Sequence, residues 1–400
     1  MIWYKKIEQR AAQLQPNLEK LRMDFHRHPE LGWEEFRTTE KIAGLLAGWG
    51  YEVVTGKEVG GHDTGVIGML RCGPGPVTAL RFDIDALPVL EEEKHGHDPF
   101  LKGFQSRNRG VMHACGHDGH TAIGLGCAQL LSEIQAVLHG TLRLIFQPAE
   151  EGARGALPIT EKGWLDDVDY FLAGHIIGCE LARGEDANVI AGVSSSFATA
   201  KADVIFRGRS AHAAQPGLGR DVIPAIAEAV CAMQSVKGPG FIHTGTIHAG
   251  SGRNIIADFG KLELETRART TAQNDDLKTQ MITILQSSAK KHGVTLDITI
   301  TGSAPSLKST PCFSEFLQKL YAQELTSVKP ASFTDAVFPA SEDAAHMMDR
   351  VTSHGGQASF LLFPVCLASG LHHADFDFPM ELLSVGTSAF SAAVYAVMHQ

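Results

Sequence analysis

Three strand-like segments of this chain are each followed by side chains of the kinds that bind metal ions. The segments and the residues after them are 77–82 with Asp83 and Asp85, 140–146 with Glu150 and Glu151, and 169–174 with His175. In an open α/β sheet, ligands bind beyond the carboxyl ends of the strands. The pattern therefore predicts an α/β fold in which these side chains meet at one edge of the sheet.

The densest group of potential metal ligands is the stretch HACGHDGH from His113 to His120. Cys115 and His117 stand two residues apart, so both can face one cation in an extended or loop backbone. Thiolate and imidazole suit zinc or another first-row transition ion. A single Cys-x-His pair is a weak signal, because a buried thiol beside a structural histidine is the commoner explanation. The nearby glutamate pair and His175 reverse that preference.

The adjacent Glu150 and Glu151 supply one carboxylate to hold a metal and one to act as a base. Most glutamate pairs lie on solvated faces, but this pair follows a buried-type strand and a proline and precedes Gly152. If Glu151 binds a metal, Glu150 can deprotonate a water whose pKa the metal lowers, and can then pass the proton to a leaving amine. These residues predict a metal-dependent amidohydrolase.

The order of helices and strands divides the chain into three stretches. Apolar positions recur at helical spacing over the first forty-odd residues, which predicts an amphipathic helix there. Residues 121–134 are expected to form a helix with small residues that suit packing against a sheet. Further on, strands are expected at 202–206, 244–249, 262–266 and 295–301, and helices at 222–236 and 275–292. This is the β-α-β-β-α-β order of a ferredoxin-like sandwich. We therefore expect an insert at residues 198–305 within a catalytic domain formed by residues 1–197 and 306–400.

Composition excludes several classes of partner. The formal net charge of −10, without a local cluster of Lys and Arg, argues against nucleic acid. No segment approaches ~18 consecutive apolar residues, so no membrane span is expected, and the opening residues lack the apolar stretch of a signal peptide. The seven cysteines are scattered singly, which is typical of reduced thiols rather than a disulfide framework. We expect a cytoplasmic protein.

Five motifs are spread over nearly the whole chain. They are His26-Arg27-His28-Pro29-Glu30, the segment 83–88 (DIDALP), the segment 113–120, the segment 147–152 (QPAEEG) and Leu371-His372-His373. Together they resemble the dinuclear-metal aminoacylase and carboxypeptidase family, in particular its branch of auxin-conjugate and hippurate hydrolases. The resemblance implies an α/β catalytic domain with a mixed sheet and an inserted ferredoxin-like α+β domain that serves as a lid or for dimerisation.

The resemblance also implies two divalent metal ions, manganese or zinc with cobalt as a further option. Five ligands are implied: Cys115, His117, Glu151, His175 and His372. Cys115 stands where the wider family has a bridging Asp, and Asp83 stands where it has a His. Asp85 is then the carboxylate that orients a liganding imidazole, and Glu150 is the catalytic base.

Other histidines need separate treatment. His372 is preferred to His373 because it stands four residues before Phe376, the spacing found in this branch. His113 and His120 are expected to support the site or to pack beside it. A structural or surface role is expected for the remaining ones considered, which are His26, His28, His62, His95 and His97.

Two further matches lie in the inserted domain. The segment around His212 resembles the family segment whose histidine reaches a substrate from a partner subunit, where it can stabilise a tetrahedral oxyanion. Asn254, followed by Arg267, resembles the family's Asn and Arg pair that binds the substrate carboxylate region. The planar fork of arginine suits a carboxylate. The segment 341–343 (SED) resembles a recurrent family segment near the site.

The expected activity is cleavage of the amide bond in N-acyl or N-aroyl amino acids, with p-aminobenzoyl-glutamate as the first candidate substrate. Hydrolysis of indole-acetyl-amino acids is an alternative, and so is a dipeptidase activity, although no motif calls for recognition of a free α-amino group. A non-catalytic partner subunit is the alternative from another class. Retention of Glu150, Asp85 and all five ligands argues against it. A homodimer is expected, or an assembly with a related second subunit.

Overall fold

The computed structural model describes residues 2–94, 96–182, 186–367 and 369–399. His95, for which the sequence predicts a structural or surface role, lies outside the described residues. Within these ranges, no helix combines the length and the apolar character that crossing a bilayer requires.

A mixed sheet forms the centre of the larger part of the molecule. Its strands are β1 (Glu52–Thr55), β2 (Val66–Arg71), β3 (Val77–Asp83), β4 (Thr141–Gln147), β5 (Tyr170–Gly178), β6 (Val189–Ile190), β11 (Pro330–Ala331) and β12 (Gln357–Val365). Over the described residues their order is β1-β2-β4-β3-β5-β12-β6-β11. Strands β4, β3, β5 and β12 run parallel, while β1, β2 and the β12–β6 contact are antiparallel. The predicted α/β fold with a mixed sheet is confirmed.

Helices cover both faces of this sheet. They are α1 (Ile2–Arg27), α2 (Phe36–Gly48), α3 (Lys57–Gly60), α4 (Asp98–Leu101), α5 (His117–Glu133), α6 (Ala156–Glu161), α9 (Pro311–Glu324), α10 (Ala344–Ser353) and α11 (Leu382–Met398). Helices α1, α5 and α11 pack against one another. Because both faces are covered, the central strands are buried almost throughout, which suits their long apolar runs.

Helix α5 lies close to the sheet because its inner face carries glycines. A Cβ added at Gly124 would lie 2.6 Å from the ring of Phe82 on β3, and one added at Gly126 would lie 2.6 Å from the hydroxyl of Thr387 on α11. Real Cβ atoms do not approach other atoms so closely, so these positions require glycine. The predicted close packing on the sheet is confirmed for Gly124, whereas Gly126 allows close packing against α11.

A second sheet lies between residues 198 and 304. Its strands are β7 (Ala198–Arg207), β8 (Gly240–Ala249), β9 (Phe259–Ala268) and β10 (Thr295–Ala304), in the antiparallel order β10-β7-β9-β8. Helices α7 (Val222–Gln234) and α8 (Thr271–His292) pack on it. The predicted β-α-β-β-α-β order is confirmed. We propose residues 198–305 as the inserted domain, because this whole unit falls inside that range.

Three sequence-based expectations about element boundaries were wrong. The first forty-odd residues form two helices, α1 and α2, separated by a turn at residues 28–35 that contains Pro29. Helix α5 begins at His117 rather than at residue 121. Strand β5 continues to Gly178, so His175 lies inside the strand rather than beyond its end. In the last two cases functional side chains occupy regular elements that apolar periodicity does not mark.

Candidate metal centre

The five predicted ligands converge at the carboxyl edge of the mixed sheet. The ligand atoms of Cys115, His117 and His175 lie within 4.8 Å of one another, and so do those of Cys115, Glu151 and His372. Each set can surround a cation, since metal–ligand bonds to N, O and S are about 2.0–2.3 Å long. Cys115 is common to both sets. Cys115 would therefore help to hold both cations.

Two of these ligand atoms are buried without a hydrogen-bond partner in the described part of the chain: Nε2 of His117 and Oε1 of Glu151. Leaving a buried polar atom unpaired costs ~1–3 kcal/mol, a cost that a bound cation would remove at both of these atoms. The Sγ of Cys115 and the Nε2 of His175 are 3.4 Å apart, also within the site. The residues present therefore fit a pair of divalent metal ions.

Hydrogen bonds hold the candidate imidazole ligands in the orientation that a metal requires. The Nδ1–H of His117 donates to the backbone carbonyl of Asp85 over 2.9 Å, which leaves Nε2 free as an electron-pair donor. In His175, Nδ1–H donates to the carbonyl of Ile176 over 2.5 Å, which likewise frees Nε2. Such partners fix the tautomer and the ring orientation of a metal ligand.

The carboxylate of Asp85 organises the glutamate pair. Its two oxygens accept hydrogen bonds from the backbone N–H of Glu150, over 3.0 Å, and from that of Glu151, over 2.9 Å. Oδ1 of Asp85 also lies 3.3 Å from Nδ1 of His117. The structure thus places Asp85 beside the imidazole of the candidate ligand His117, but its shortest contacts are with the glutamate backbone.

Asp83 forms a separate buried group with His120. Nδ1–H of His120 donates to Asp83 over 2.6 Å, and Nε2 of the same ring accepts the N–H of Ile176 over 3.0 Å. Burial would raise the pKa of Asp83, but the charges of His117, His120 and Arg81 outweigh burial and hold that pKa well below its usual range. Although the side chains of Asp83, His117 and His120 also lie within metal-binding distance, Asp83 and His120 are satisfied by protein partners.

Glu150, the predicted base, lies in a buried acidic group. Its carboxylate and those of Glu342 and Asp343 are within 4.8 Å of one another. Burial, and then the charge of Glu342, raise the pKa of Glu150 well above its usual range. Burial also raises the pKa of Glu151 to about 7. Each carboxylate of the glutamate pair is therefore a stronger base than an exposed one.

Arg81 offsets the negative charge of this group and was missed as a site residue by sequence reasoning. Its fully buried guanidinium lies 2.8 Å from Asp83, 3.0 Å from Glu342 and 3.2 Å from Asp343. A signal for it existed, because an arginine in the middle of a strand buried on both faces must have charged partners. The segment 341–343 was marked only by resemblance.

The structure brings His372, and not its neighbour, to the candidate centre. Nε2 of His372 lies 3.5 Å from Oε1 of Glu151, and its backbone N–H donates to the carbonyl of Ala114 over 2.7 Å. Burial lowers the pKa of His372, which favours the neutral imidazole that binds metal. Its side chain remains 54% exposed, which makes it the most accessible of the ligands in the two sets.

A cavity opens between the candidate ligands and the four-stranded sheet. Its lining includes Cys115, Glu150, Glu151, His175, Thr199, Lys201, Arg267, Phe338, Glu342 and His372. Arg267 is thus placed at the site, with Glu265 as an ion-pair partner at 2.9 Å. Sequence reasoning missed Lys201, because a Lys on an amphipathic strand usually faces solvent. It also missed Thr199 on the same strand.

The other two predicted substrate residues lie elsewhere in the chain. His212 is exposed and its backbone pairs with Ile255, and the N–H of Ala213 donates to the carbonyl of Asn254 over 3.0 Å. This loop precedes Phe259, where β9 begins, whereas Arg267 is next to the other end of that strand. A strand rises ~3.3 Å per residue, so β9 separates Asn254 from Arg267. Within one chain the two residues therefore lie at opposite ends of β9.

Comparison with protein families and curated proteins gives consistent matches. The model of peptidase family M20/M25/M40 matches residues 79–396. One of the subunits of p-aminobenzoyl-glutamate hydrolase from Escherichia coli is 37% identical, over 96% of this chain and 97% of that protein. The indole-3-acetyl-aspartic acid hydrolase of Enterobacter agglomerans is 35% identical, over 95% of each.

Solved structures share the fold over almost the whole chain. An aminobenzoyl-glutamate utilization protein from Klebsiella pneumoniae superposes with a TM-score of 0.79 at 30% identity and covers 97% of this chain and 98% of its own. A dinuclear metal binding peptidase of the M20 family from Bacillus subtilis has a TM-score of 0.71 at 26% identity, with 96% and 99% covered.

Proposed function

The chain belongs to peptidase family M20/M25/M40, and from that premise we propose that it is a metal-dependent amidohydrolase that cleaves N-acyl or N-aroyl amino acids. The first candidate substrate is p-aminobenzoyl-glutamate, after the relative from Escherichia coli. An indole-acetyl-amino acid is the second, after the relative from Enterobacter agglomerans. The same residues would serve both, since the two substrates share the amide bond and the amino-acid carboxylate. They differ only in the acyl group and in the length of the amino-acid side chain.

The observation that carries the proposal is the position of Cys115 in both sets of metal-ligand atoms. We propose that Cys115, together with His117 and His175, would hold one ion, and that Cys115, together with Glu151 and His372, would hold the other. Manganese and zinc both suit these ligand types, and cobalt is a third option. When bound, such ions act as Lewis acids on a carbonyl oxygen and lower the pKa of water toward neutrality.

Glu150 has the position and the environment of a general acid–base. It takes a proton from the attacking water and donates that proton to the amide nitrogen as the C–N bond breaks. Burial raises its pKa, and a base with a pKa nearer the working pH accepts and returns a proton more efficiently. Asp85 holds Glu150 in place through the backbone N–H.

Arg267 and Lys201 supply positive charge to the cavity beside this base. We propose that Arg267 binds the carboxylate of the released amino acid, since a charged bidentate contact is the strongest available to that group. His212 and Asn254 lie away from this cavity. We propose that they act on the substrate of a neighbouring protomer in a homodimer, with the domain of residues 198–305 as lid and dimerisation unit.

A non-catalytic role is the alternative from another class. The relative in Escherichia coli carries the name of a hydrolase subunit, so a requirement for a companion chain is the competing interpretation. The combination of Glu150, Asp85 and five converging ligands favours catalysis by this chain itself. The seven cysteines are scattered singly along the sequence, which is typical of proteins with reduced thiols, and this supports the proposed cytoplasmic location.

Assay of the purified chain tests the proposal. With manganese or zinc added, release of p-aminobenzoate or indole acetate from the two conjugates is expected. Glu150→Gln is the matched control, because the amide keeps the shape but cannot take a proton. It should retain metal, measured by elemental analysis, and lose ~10²–10⁴-fold in turnover. Metal-loaded protein without activity on either conjugate would overturn the proposal in favour of the partner-subunit role.

A further inference from the structure

Two cysteines far apart in the sequence meet at one end of the mixed sheet. Cys179 directly follows β5 and Cys366 directly follows β12, and these strands are paired in parallel up to Gly178 opposite Val365. The register therefore makes Cys179 and Cys366 the next opposing pair. Their Sγ atoms are 2.9 Å apart. Sequence reasoning takes both as isolated thiols, because 187 positions separate them.

The backbone around this pair already suits a disulfide. Such a bond is about 2.05 Å long and joins Cα atoms that are usually 4.4–6.8 Å apart. Neighbouring strands lie ~4.8 Å apart, which falls within that range. Closure then requires the two sulfur atoms to approach by less than about 1 Å, a movement that side-chain torsions alone can supply.

The two thiols are also accessible and differ in environment. Cys366 is exposed and lines an open pocket together with Lys94, Asp98 and Asp375, while Cys179 is half-buried. The hydrogen bond with Cys366 raises the pKa of Cys179. Cys366 is thus the thiol that reacts with an oxidant first, and Cys179 is placed to react with the resulting sulfenic acid.

We propose that Cys179 and Cys366 form a reversible intramolecular disulfide in the presence of hydrogen peroxide. The thiolate of Cys366 attacks one peroxide oxygen, the O–O bond breaks, and a sulfenic acid and hydroxide result. The sulfur of Cys179 then attacks the sulfenic sulfur, and the S–O bond breaks with loss of water. Two electrons pass from the two thiols to the peroxide, and two water molecules form in total. A dithiol reductant reverses the change by thiol–disulfide exchange.

The disulfide would restrain a segment that matters to the candidate metal centre. Cys366 begins the connection from β12 to α11, and the same connection carries His372, while Cys179 closely follows His175 on β5. A covalent link would fix the start of that connection relative to β5. This consequence for His372 rests on the proposed function, whereas formation of the disulfide does not.

Peptide mapping tests the thiol pair directly. The metal-loaded chain is treated with one equivalent of hydrogen peroxide, alkylated and digested. We expect a linked peptide that contains Cys179 and Cys366, that disappears after reduction, and a rise of on the order of 5 °C in the midpoint of thermal unfolding. Cys366→Ser and Cys179→Ser should each abolish both effects. Cys312→Ser removes another exposed thiol and is the matched control, which should keep them.

Amide hydrogen exchange tests the consequence for the metal centre. Exchange at residues 369–376 should become slower when the parent chain is oxidised. In Cys366→Ser the same treatment should leave exchange unchanged. Unchanged exchange would overturn the link to His372. Free thiols at both positions after peroxide treatment, or a bond between two chains on a non-reducing gel, would overturn the disulfide itself. Neither result depends on hydrolytic activity, so failure here and failure of the proposed function are distinguishable.

Discussion

The carboxylate of Asp85 accepts the backbone N–H of Glu151 over 2.9 Å, and its other oxygen accepts that of Glu150 over 3.0 Å. One buried acid thereby sets the positions of the proposed metal ligand and the proposed base. The backbone N–H groups are held by a charged acceptor, which makes the bonds stronger than those to a neutral oxygen. The roles of the two glutamates depend on this third residue.

Replacement of Asp85 should therefore weaken metal binding. In Asp85→Asn the amide N–H₂ faces one of two backbone donors, so one buried N–H loses its acceptor. Loss of a group that supports metal ligands typically costs roughly 10–100-fold in metal affinity, and we expect a drop of that size. Competition with a chelator measures it. Asp203→Asn, on a half-exposed position of β7, is the control and should bind metal like the parent. Parental affinity in Asp85→Asn would contradict the positioning role.

Cys115→Ala is predicted to lower the metal content of the protein. The thiol belongs to both ligand sets, so its loss affects two ions rather than one. Dialysis against limiting manganese or zinc, followed by elemental analysis, should give fewer metal ions per chain than in the parent. Cys127→Ala removes a thiol that is also buried within the core and should leave the metal content unchanged. Full occupancy in Cys115→Ala would reduce this thiol to a packing residue.

His26 is predicted to make the stability of the fold depend on pH. Burial lowers its pKa, but hydrogen bonds with Asp118 and Glu91 outweigh burial and raise the pKa to about 9, against 6.5 for an exposed histidine. Because the folded state binds the proton more tightly, this stabilisation is complete below pH 6.5 and is lost as the pH rises to 9. At ~1.4 kcal/mol per pH unit the loss is on the order of 3 kcal/mol.

Unfolding in urea at about pH 6.5, 8 and 9.5 measures that dependence. The difference in unfolding free energy between the parent and His26→Gln should shrink as the pH rises, because the variant lacks the charge at every pH. His28→Gln changes a half-exposed histidine just after the end of the same helix and is the control for general effects. A constant difference between the parent and His26→Gln across this range would disprove the assignment.

The parts of the molecule that the sequence predicts well are those set by local pattern. The strand that ends at Asp83 and the strand that leads to Glu150 each read as an apolar run, and a parallel sheet places their ends together whatever lies between them. The candidate ligand His117 is the first residue of a helix packed on that sheet, and Cys115 lies just before it. Adjacency along the chain and the geometry of the sheet are sufficient to bring these side chains to one edge.

The features that escaped prediction depend on contacts between distant segments. The ion pair of Arg81 with Glu342 joins β3 to the connection that precedes α10, far along the chain, and only the tertiary packing brings them together. The pairing of Cys179 with Cys366 requires the register of β5 against β12. Periodicity reports which face of an element is buried, but it does not identify the partner across that face.

Arg267 is predicted to select substrates with a free carboxylate on the released amino acid. Its guanidinium lines the cavity beside the candidate ligands, in a chain whose net charge of −10 would otherwise repel an acyl-glutamate. A hydrogen bond to a charged group is worth ~1.5–3 kcal/mol, which is roughly 10–150-fold at ~1.4 kcal/mol per decade. Arg267→Ala should raise KM for an acyl-glutamate by that factor and hardly change hydrolysis of the matching amide without the carboxylate. Arg207→Ala, at the far end of β7, should behave like the parent on both substrates. Equal losses of Arg267→Ala on both would show that Arg267 supports the fold or the metal centre instead.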